Sequence, residues 1–209
     1  MKKVSILITN YNYARYINRC IRSCLDQNFK KDEYEIIIID DKSSDNSCSQ
    51  LNYWNNKENI RVIFNEENLG LGHSCNRGLS ECRSPYVVRV DADDYINENF
   101  LLFLYSHAHY NKSHAIACDY IEVNFNEEII ARKNAKQHPI ACGILFRLDC
   151  LEFVGGYSTQ RVGEEVELRD RFDKHFDVEY LNLPLYKYLK HEKSLTSGGF
   201  DTAEINGTQ

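Results

Sequence analysis

Hydrophobic positions along the chain follow two periods. Short apolar runs of strand length occur at residues 4–8, 35–39, 60–64 and 86–90. Ile36, Ile37, Ile38 and Ile39 are apolar on both faces, as a strand buried inside a parallel sheet requires. Between the runs the period lengthens. Ile17, Cys20, Ile21, Cys24 and Leu25 fall at i, i+3, i+4, i+7 and i+8 and form one helical stripe, Ser44 or Asp45 is placed to cap a second helix, and residues 70–72 open a third. Single helices between successive strands imply right-handed crossovers and a mostly parallel central sheet flanked by helices. Ligands then bind beyond the carboxyl ends of the strands, where Thr9, Asp40, Asp41 and Asp91 lie.

The second half is less regular and reads as a smaller mixed region. Residues 99–110 are predicted helical, 115–123 and 140–146 strands, 162–175 a charged amphipathic helix, and 178–189 a strand around Pro184. These patterns imply one domain over residues 1–196, with a regular half at 1–95 and a less regular half at 96–196. The polar stretch 197–209 reads as a flexible tail.

Composition narrows the function. The 209 residues are 43% hydrophobic, and 25 basic against 31 acidic residues leave a net charge of −6 without a basic block, which argues against nucleic acid as partner. No apolar run is long enough to span a bilayer, and Met1-Lys2-Lys3 leads directly into a strand, so a cytoplasmic protein is expected, with any contact at the inner membrane face peripheral. The eight cysteines include no C-x-x-C pair and fall mostly in apolar-periodic segments, as reduced core thiols do. His107, His109, His114 and Cys118 do not have the spacing of a zinc site and read as surface histidines beside a buried thiol.

The chemistry concentrates in acidic strand ends. Asp91-Ala92-Asp93-Asp94 follows an apolar strand, and three carboxylates so close repel one another unless a divalent cation offsets their charge, so the run reads as a metal and nucleotide-diphosphate site. Asp40 and Asp41 end an earlier strand; one carboxylate there can accept the imino N–H of a uracil-like base while the other reaches a ribose hydroxyl. Tyr11 can stack on a base and Thr9 can bond its edge, although an ordinary strand-to-helix turn uses the same residues. Two glycines precede the third helix without a dinucleotide fingerprint or a Walker lysine, so a helix entry is expected, with Arg77 aimed at Asp91 or a diphosphate.

Taken in order, Val4 through Asn12, Asp40-Asp41 with Ser43 and Asp45, Asn68-x-Gly70 with Asn76-Arg77-Gly78, Asp91-x-Asp93-Asp94, Gly143-Ile144-Leu145-Phe146-Arg147, Val154-Gly155-Gly156-Tyr157 and Gly163-Glu164-Glu165 resemble the family 2 glycosyltransferases. The resemblance implies a GT-A fold, a nucleotide-sugar donor and inversion at the anomeric carbon. It implies base and ribose contacts from Thr9, Tyr11 and Asp41 with Asp40 nearby, a ribose or Arg77 contact for Asp91, and manganese or magnesium on Asp93, completed by His191. Asp94 is implied as a water-mediated metal ligand or a donor-sugar contact.

For the catalytic base the resemblance implies Glu165, where relatives commonly carry Glu-Asp and this chain has Glu164-Glu165; Glu167 and Asp170 compete on the same helix. A UDP-sugar donor and a glycan or lipid-linked acceptor, in the building of surface polysaccharide or other glycans, follow from the same likeness. Donor sugar, acceptor and oligomeric state are not readable. Two other classes stay open: a sugar nucleotidyltransferase, which would present a glycine-rich triphosphate loop near the first strand, and a catalytically silent sugar-nucleotide-binding subunit.

Overall fold

In the computed structural model, which describes residues 1–159 and 164–191 with the side chains of 164–166 left aside, one nine-stranded sheet organises the chain. Four strands are parallel: β1 (Val4–Asn10) pairs with β2 (Tyr34–Asp40) on one side and β4 (Tyr86–Arg89) on the other, and β2 pairs with β3 (Ile60–Phe64). Register aligns Asn10 with Asp40 and Asp40 with Phe64, so these strands end level and turn their last side chains to one edge.

Alternation along each strand feeds two cores. Ile6, Ile8, Ile36 and Ile38 pack with Ile17, Cys20, Ile21 and Cys24 of helix α1 (Ile17–Leu25), with Leu51 of α2 (Ser47–Trp54), and with Phe100 and Leu104 of α4 (Phe100–Asn111). Leu7, Ile37, Ile39 and Val87 face the opposite layer, against Cys75 of α3 (Leu71–Glu81), Cys150 and Leu151 of α5 (Leu148–Phe153), and Leu168 and Phe172 of α6 (Glu164–Asp173). Strands apolar at every position are therefore buried on both sides. Helix α3 lies so close to β1 that a Cβ on Gly78 would sit 2.1 Å from Leu7 Cδ1, which explains a glycine in mid-helix.

Past β4 the directions mix. β8 (Ile144–Arg147) is antiparallel to both β4 and β6 (Ala115–Val123), β9 (Val178–Leu189) is parallel to β6, and the two-residue β5 (Tyr95–Ile96) closes the sheet antiparallel to β9. β7 (Ile129–Lys133) forms a hairpin on β6. Pro184 stands opposite Asp119 where the β6–β9 register shifts, a position where its missing N–H costs no ladder bond.

The strand expected over 140–146 begins only at Ile144, because Gly143 takes a φ of +71° and donates its N–H to the Arg89 carbonyl at 2.9 Å. The late helix ends at Asp173, short of the 175 expected, while its expected start at 162 and the stretch 197–209 expected to be a tail lie outside the described residues. All eight cysteines are free and six are buried. Among the described residues no helix is long and apolar enough to cross a membrane.

Candidate active site

The level ends of β1 and β2 open on a cavity of about 430 Å³, lined by Thr9, Tyr11, Tyr13, Tyr16, Asp41 and Gly70 among others. Thr9, Tyr11 and Asp41 thus meet in one pocket. Asp41 is 4% exposed. Its Oδ1 accepts from Asn65 Nδ2 at 2.6 Å and from the Leu69 N–H at 3.0 Å, and its Oδ2 accepts from the Gly70 N–H at 2.8 Å. A carboxylate oxygen has two lone-pair directions, so Oδ1 is filled and Oδ2 keeps one free on a residue that lines the cavity. The glycine-containing segment before α3 therefore clasps Asp41 with its backbone, in keeping with the φ of +90° at Gly70.

Asp40 has a different part from the one expected. It is fully buried and does not line the cavity. Its Oδ1 accepts from Asn10 Nδ2 and from Ser43 Oγ, each at 2.7 Å, and its Oδ2 accepts from the Ser43 N–H at 3.0 Å. These bonds pin the turn after β2, which Asn12 Oδ1 completes by accepting from the Ser44 N–H at 2.7 Å. A nucleotide contact from Asp40 is excluded because its acceptor directions point inward. Asp45, expected as a possible cap, accepts from the Ser47 N–H at the start of α2 and also ties down the Ala14 N–H, both at 2.9 Å.

The acidic turn after β4 is held from two sides, by α1 and by β9. Helix α1 reaches its carbonyls, Arg19 Nη2 donating to Asp93 O at 3.1 Å and Cys20 Sγ to Asp91 O at 3.4 Å. Asp94 turns inward, where Tyr186 Oη donates to its Oδ2 and the Leu189 N–H to its Oδ1, both at 2.8 Å. Burial, reinforced by the neighbouring Asp93 and Asp91 carboxylates, pushes the Asp94 carboxyl well above the usual range. It is thus an internal pin between β9 and the turn.

Asp93 and His191 converge, although 98 residues separate them: His191 Nε2 lies 2.8 Å from Asp93 Oδ2. The imidazole is 1% exposed, and its ring stacks on Tyr16 at 4.9 Å between centroids. A carboxylate oxygen and an imidazole nitrogen this close could both serve one manganese ion, whereas magnesium would rely on the carboxylate. Asp91, Asp94 and Cys142 also bring potential ligand atoms within 4.8 Å of one another. Burial raises both the Asp94 carboxyl and the Cys142 thiol in the absence of a cation, and a cation bound there would act against that shift.

Arg77 does not reach the acidic turn. It is exposed on α3 and donates to Asn65 Oδ1 and, at 3.3 Å, to the Phe64 carbonyl, bracing the end of β3. The arginine at Asp91 is Arg89, two residues earlier on β4, with its side chain 2% exposed and Nε 3.0 Å from Asp91 Oδ1. Strand alternation could have found it, since residues 89 and 91 share a face, but a lone arginine inside an apolar strand gave no ligand signal.

Two of the recognised motifs turn out to hold each other. Asn76 Nδ2 donates to Tyr157 O and Asn76 Oδ1 accepts from the Tyr157 N–H, both at 2.8 Å, while a Cβ on Gly156 would come within 2.6 Å of Asn76 Oδ1. Tyr157 in turn stands 5.8 Å from the Arg89 guanidinium. The late glycine motif thereby supports the arginine that pairs with Asp91.

On the far side of Asp91 a second cavity of about 420 Å³ is walled by Ile140, Cys142, Tyr157, Leu168 and Tyr188, with Asp170 also facing it. Glu164 and Glu165 open α6, and their side chains lie outside the described residues. Of their competitors, Glu167 is taken up by Arg171, 2.5 Å from Nε, which holds its carboxyl below the usual range; Asp170 is unencumbered by any such pair among the described residues. The histidines considered for zinc do not converge: His107 pairs with Glu179 at 2.6 Å, His109 stacks on Tyr105 and His114 packs on Phe176.

The sheet is covered on both faces, with the cavity at the carboxyl edge of β1 and β2 and the acidic turn joined to it through Tyr16, His191 and Asp93. The structure of Staphylococcus aureus TarS 1–349 in complex with UDP matches with a TM-score of 0.79 at 21% identity, covering 91% of this chain and 61% of that one. The mannosyltransferase PcManGT from Pyrobaculum calidifontis, in complex with GDP-Man and Mn2+, matches at 0.74 and 16%, covering 92% and 58%. At these identities the likeness speaks to fold alone. The profile of glycosyl transferase family 2 matches residues 5–163, and the chain belongs to that family.

Among curated relatives, a poly(ribitol-phosphate) beta-glucosyltransferase of Bacillus spizizenii is 39% identical over 113 residues, 53% of this chain and 18% of its own length. A cholesterol galactosyltransferase of Borreliella burgdorferi is 34% identical over 137 residues, 66% of this chain and 37% of its own length. The chain thus spans well under half of these relatives.

Proposed function

We propose that this chain transfers a sugar from a UDP-sugar to a hydroxyl acceptor with inversion, assisted by manganese or magnesium. The observation that carries the reading is the convergence of Asp93 and His191 at 2.8 Å beside a cavity whose polar wall includes Asp41 and Thr9. In this reading the free lone pair of Asp41 Oδ2 accepts the imino N–H of uracil, and Tyr11 stacks on the base. Asp93 and His191 hold the cation. When bound, it neutralises the charge that grows on the departing diphosphate.

Glu165 is assigned as the base. Its carboxylate takes the proton of the acceptor hydroxyl, whose oxygen bonds to the anomeric carbon as the bond to the diphosphate breaks on the opposite face. One carboxylate suffices for such an in-line displacement, so no covalent sugar intermediate is required. Arg89 fixes Asp91 in the wall of the second cavity, which receives the transferred sugar and the acceptor. A role in cell-wall or surface-polymer glycosylation is supported by the poly(ribitol-phosphate) relatives, one of which is a glucosyltransferase.

The test is calorimetric titration of the chain with UDP, GDP, dTDP and CMP, each with and without Mn2+, followed by sugar release from the matching donor. UDP should bind tightest and only with help from Mn2+, and Asp93→Ala should abolish that help. Glu165→Gln should keep donor binding and lose transfer. Tight metal-independent binding by the Asp93 variant, or full turnover by the Glu165 variant, refutes the respective role. Slow metal-dependent donor hydrolysis without acceptor separates an active enzyme from a silent binding subunit.

A further inference from the structure

The geometry points to Tyr16 as the positioning residue for His191 and as the physical link between the nucleoside cavity and the metal pair. The inference deepens the reading above and rests on its assignment of Asp93 and His191 to the cation.

His191 follows β9, whose path is set by the backbone: the Leu189 N–H donates to Asp94 and the Lys190 N–H to the Val123 carbonyl at 2.9 Å. Those bonds fix where the residue starts, not how its ring turns. The ring is enclosed by aromatics. Tyr16 stacks on it at 4.9 Å and 24°, Tyr13 meets it edge-on at 6.3 Å and 77°, and Phe125 from the β6–β7 hairpin lies 6.0 Å away. Phe125 also stacks on Tyr16 at 6.0 Å and is covered by the Arg15 guanidinium at 4.5 Å. The Tyr16 plane thereby sets the imidazole plane and keeps Nε2 directed at Asp93. Residues behind a metal ligand that fix its orientation commonly cost 10–100-fold in metal affinity when removed.

Tyr16 has a second duty. With Tyr13 it lines the cavity that also holds Thr9 and Asp41, so one ring belongs to both subsites. It stands at the N-cap of α1, its N–H bonded to Tyr13 O at 2.9 Å, which leaves its backbone little freedom. A nucleoside that orders Tyr16 from the cavity side therefore also orders His191, and by linkage the cation favours the ordered cavity.

The test titrates Mn2+ calorimetrically into the full chain, for wild type, Tyr16→Phe, Tyr16→Leu, His191→Ala and the Tyr16→Leu/His191→Ala pair. Tyr16→Phe keeps the ring and should stay within about twofold of wild type. Tyr16→Leu should weaken Mn2+ about tenfold, and should add nothing once His191 is gone, because coupled residues are non-additive. Additive losses overturn the role of Tyr16 while leaving the metal assignment standing. Equal Mn2+ affinity in wild type and His191→Ala overturns the metal assignment and this inference with it. A second measurement does not depend on the leucine variant folding. In metal-free wild type and Tyr16→Phe, the His191 ring protons, assigned through His191→Ala, should carry an upfield ring-current shift. Unshifted resonances overturn the stack.

Discussion

Replacing Asp41 by asparagine tests the nucleoside side of the site with a change of one atom. In the native cavity Oδ1 serves two donors, Asn65 Nδ2 and the Leu69 N–H, while Oδ2 serves the Gly70 N–H and has one direction left for a base. An asparagine must keep its oxygen at the doubly used position, so its NH2 falls where Oδ2 was, facing the Gly70 N–H. That leaves one backbone donor without an acceptor, about 1–3 kcal/mol of stability, read as a shift in the urea midpoint. The same exchange removes the acceptor for the uracil imino N–H. A hydrogen bond to a charged group is worth about 1.5–3 kcal/mol, so UDP should bind about 10- to 150-fold more weakly. Cytosine presents a bare ring nitrogen at that position and accepts from the new NH2, so CDP should lose less than UDP or gain. Calorimetry with UDP and CDP on both proteins measures the difference directly. Equal weakening of both nucleotides would refute the contact and leave Asp41 as a loop clasp only.

Other expectations concern the pins and the packing. The raised carboxyl of Asp94 means that the folded state binds its proton more tightly than the unfolded state, so the stabilisation is complete below the unfolded carboxyl range and declines as pH climbs toward the folded value. Asp94→Asn cannot lose that proton, and its urea midpoint should fall less than that of wild type as pH rises above the unfolded carboxyl range; parallel curves would contradict the assignment. Gly78→Ala puts a methyl 2.1 Å from Leu7 Cδ1 in a fully buried position and should cost about 1–3 kcal/mol. An unchanged midpoint would mean that α3 can lift from β1.

The four parallel strands and the three helices between them were readable because each carries a strong period and each crossover is local. β5 and β7 were not, since two residues carry no period and the apolar Ile129 and Ile130 of a solvent-exposed hairpin do not alternate. Position was legible for Asp91, Asp93 and Asp41, all at strand ends. Direction was not: Asp40 and Asp94 look like their neighbours in sequence, yet both turn inward, because Ser43 and Asn10 in one case and Tyr186 in the other supply donors that only the folded chain brings near. Arg77 and Arg89 were confused for the same reason. Arg77 sits in a recognisable motif whose work is done by Asn76 and Gly78, whereas Arg89 hides in a strand among valines.

The bonds from Tyr186 and Leu189 to Asp94 give the acidic turn two parents, one near the middle of the chain and one near residue 189. Grafting a foreign C-terminal half onto residues 1–95 would therefore rebuild the turn as well. A chimera that changes the register of β9 by a single residue exchanges inward for outward side chains, withdrawing the tyrosine and displacing His191, so hybrids of this fold must inherit both strands from one ancestor to keep their donor chemistry.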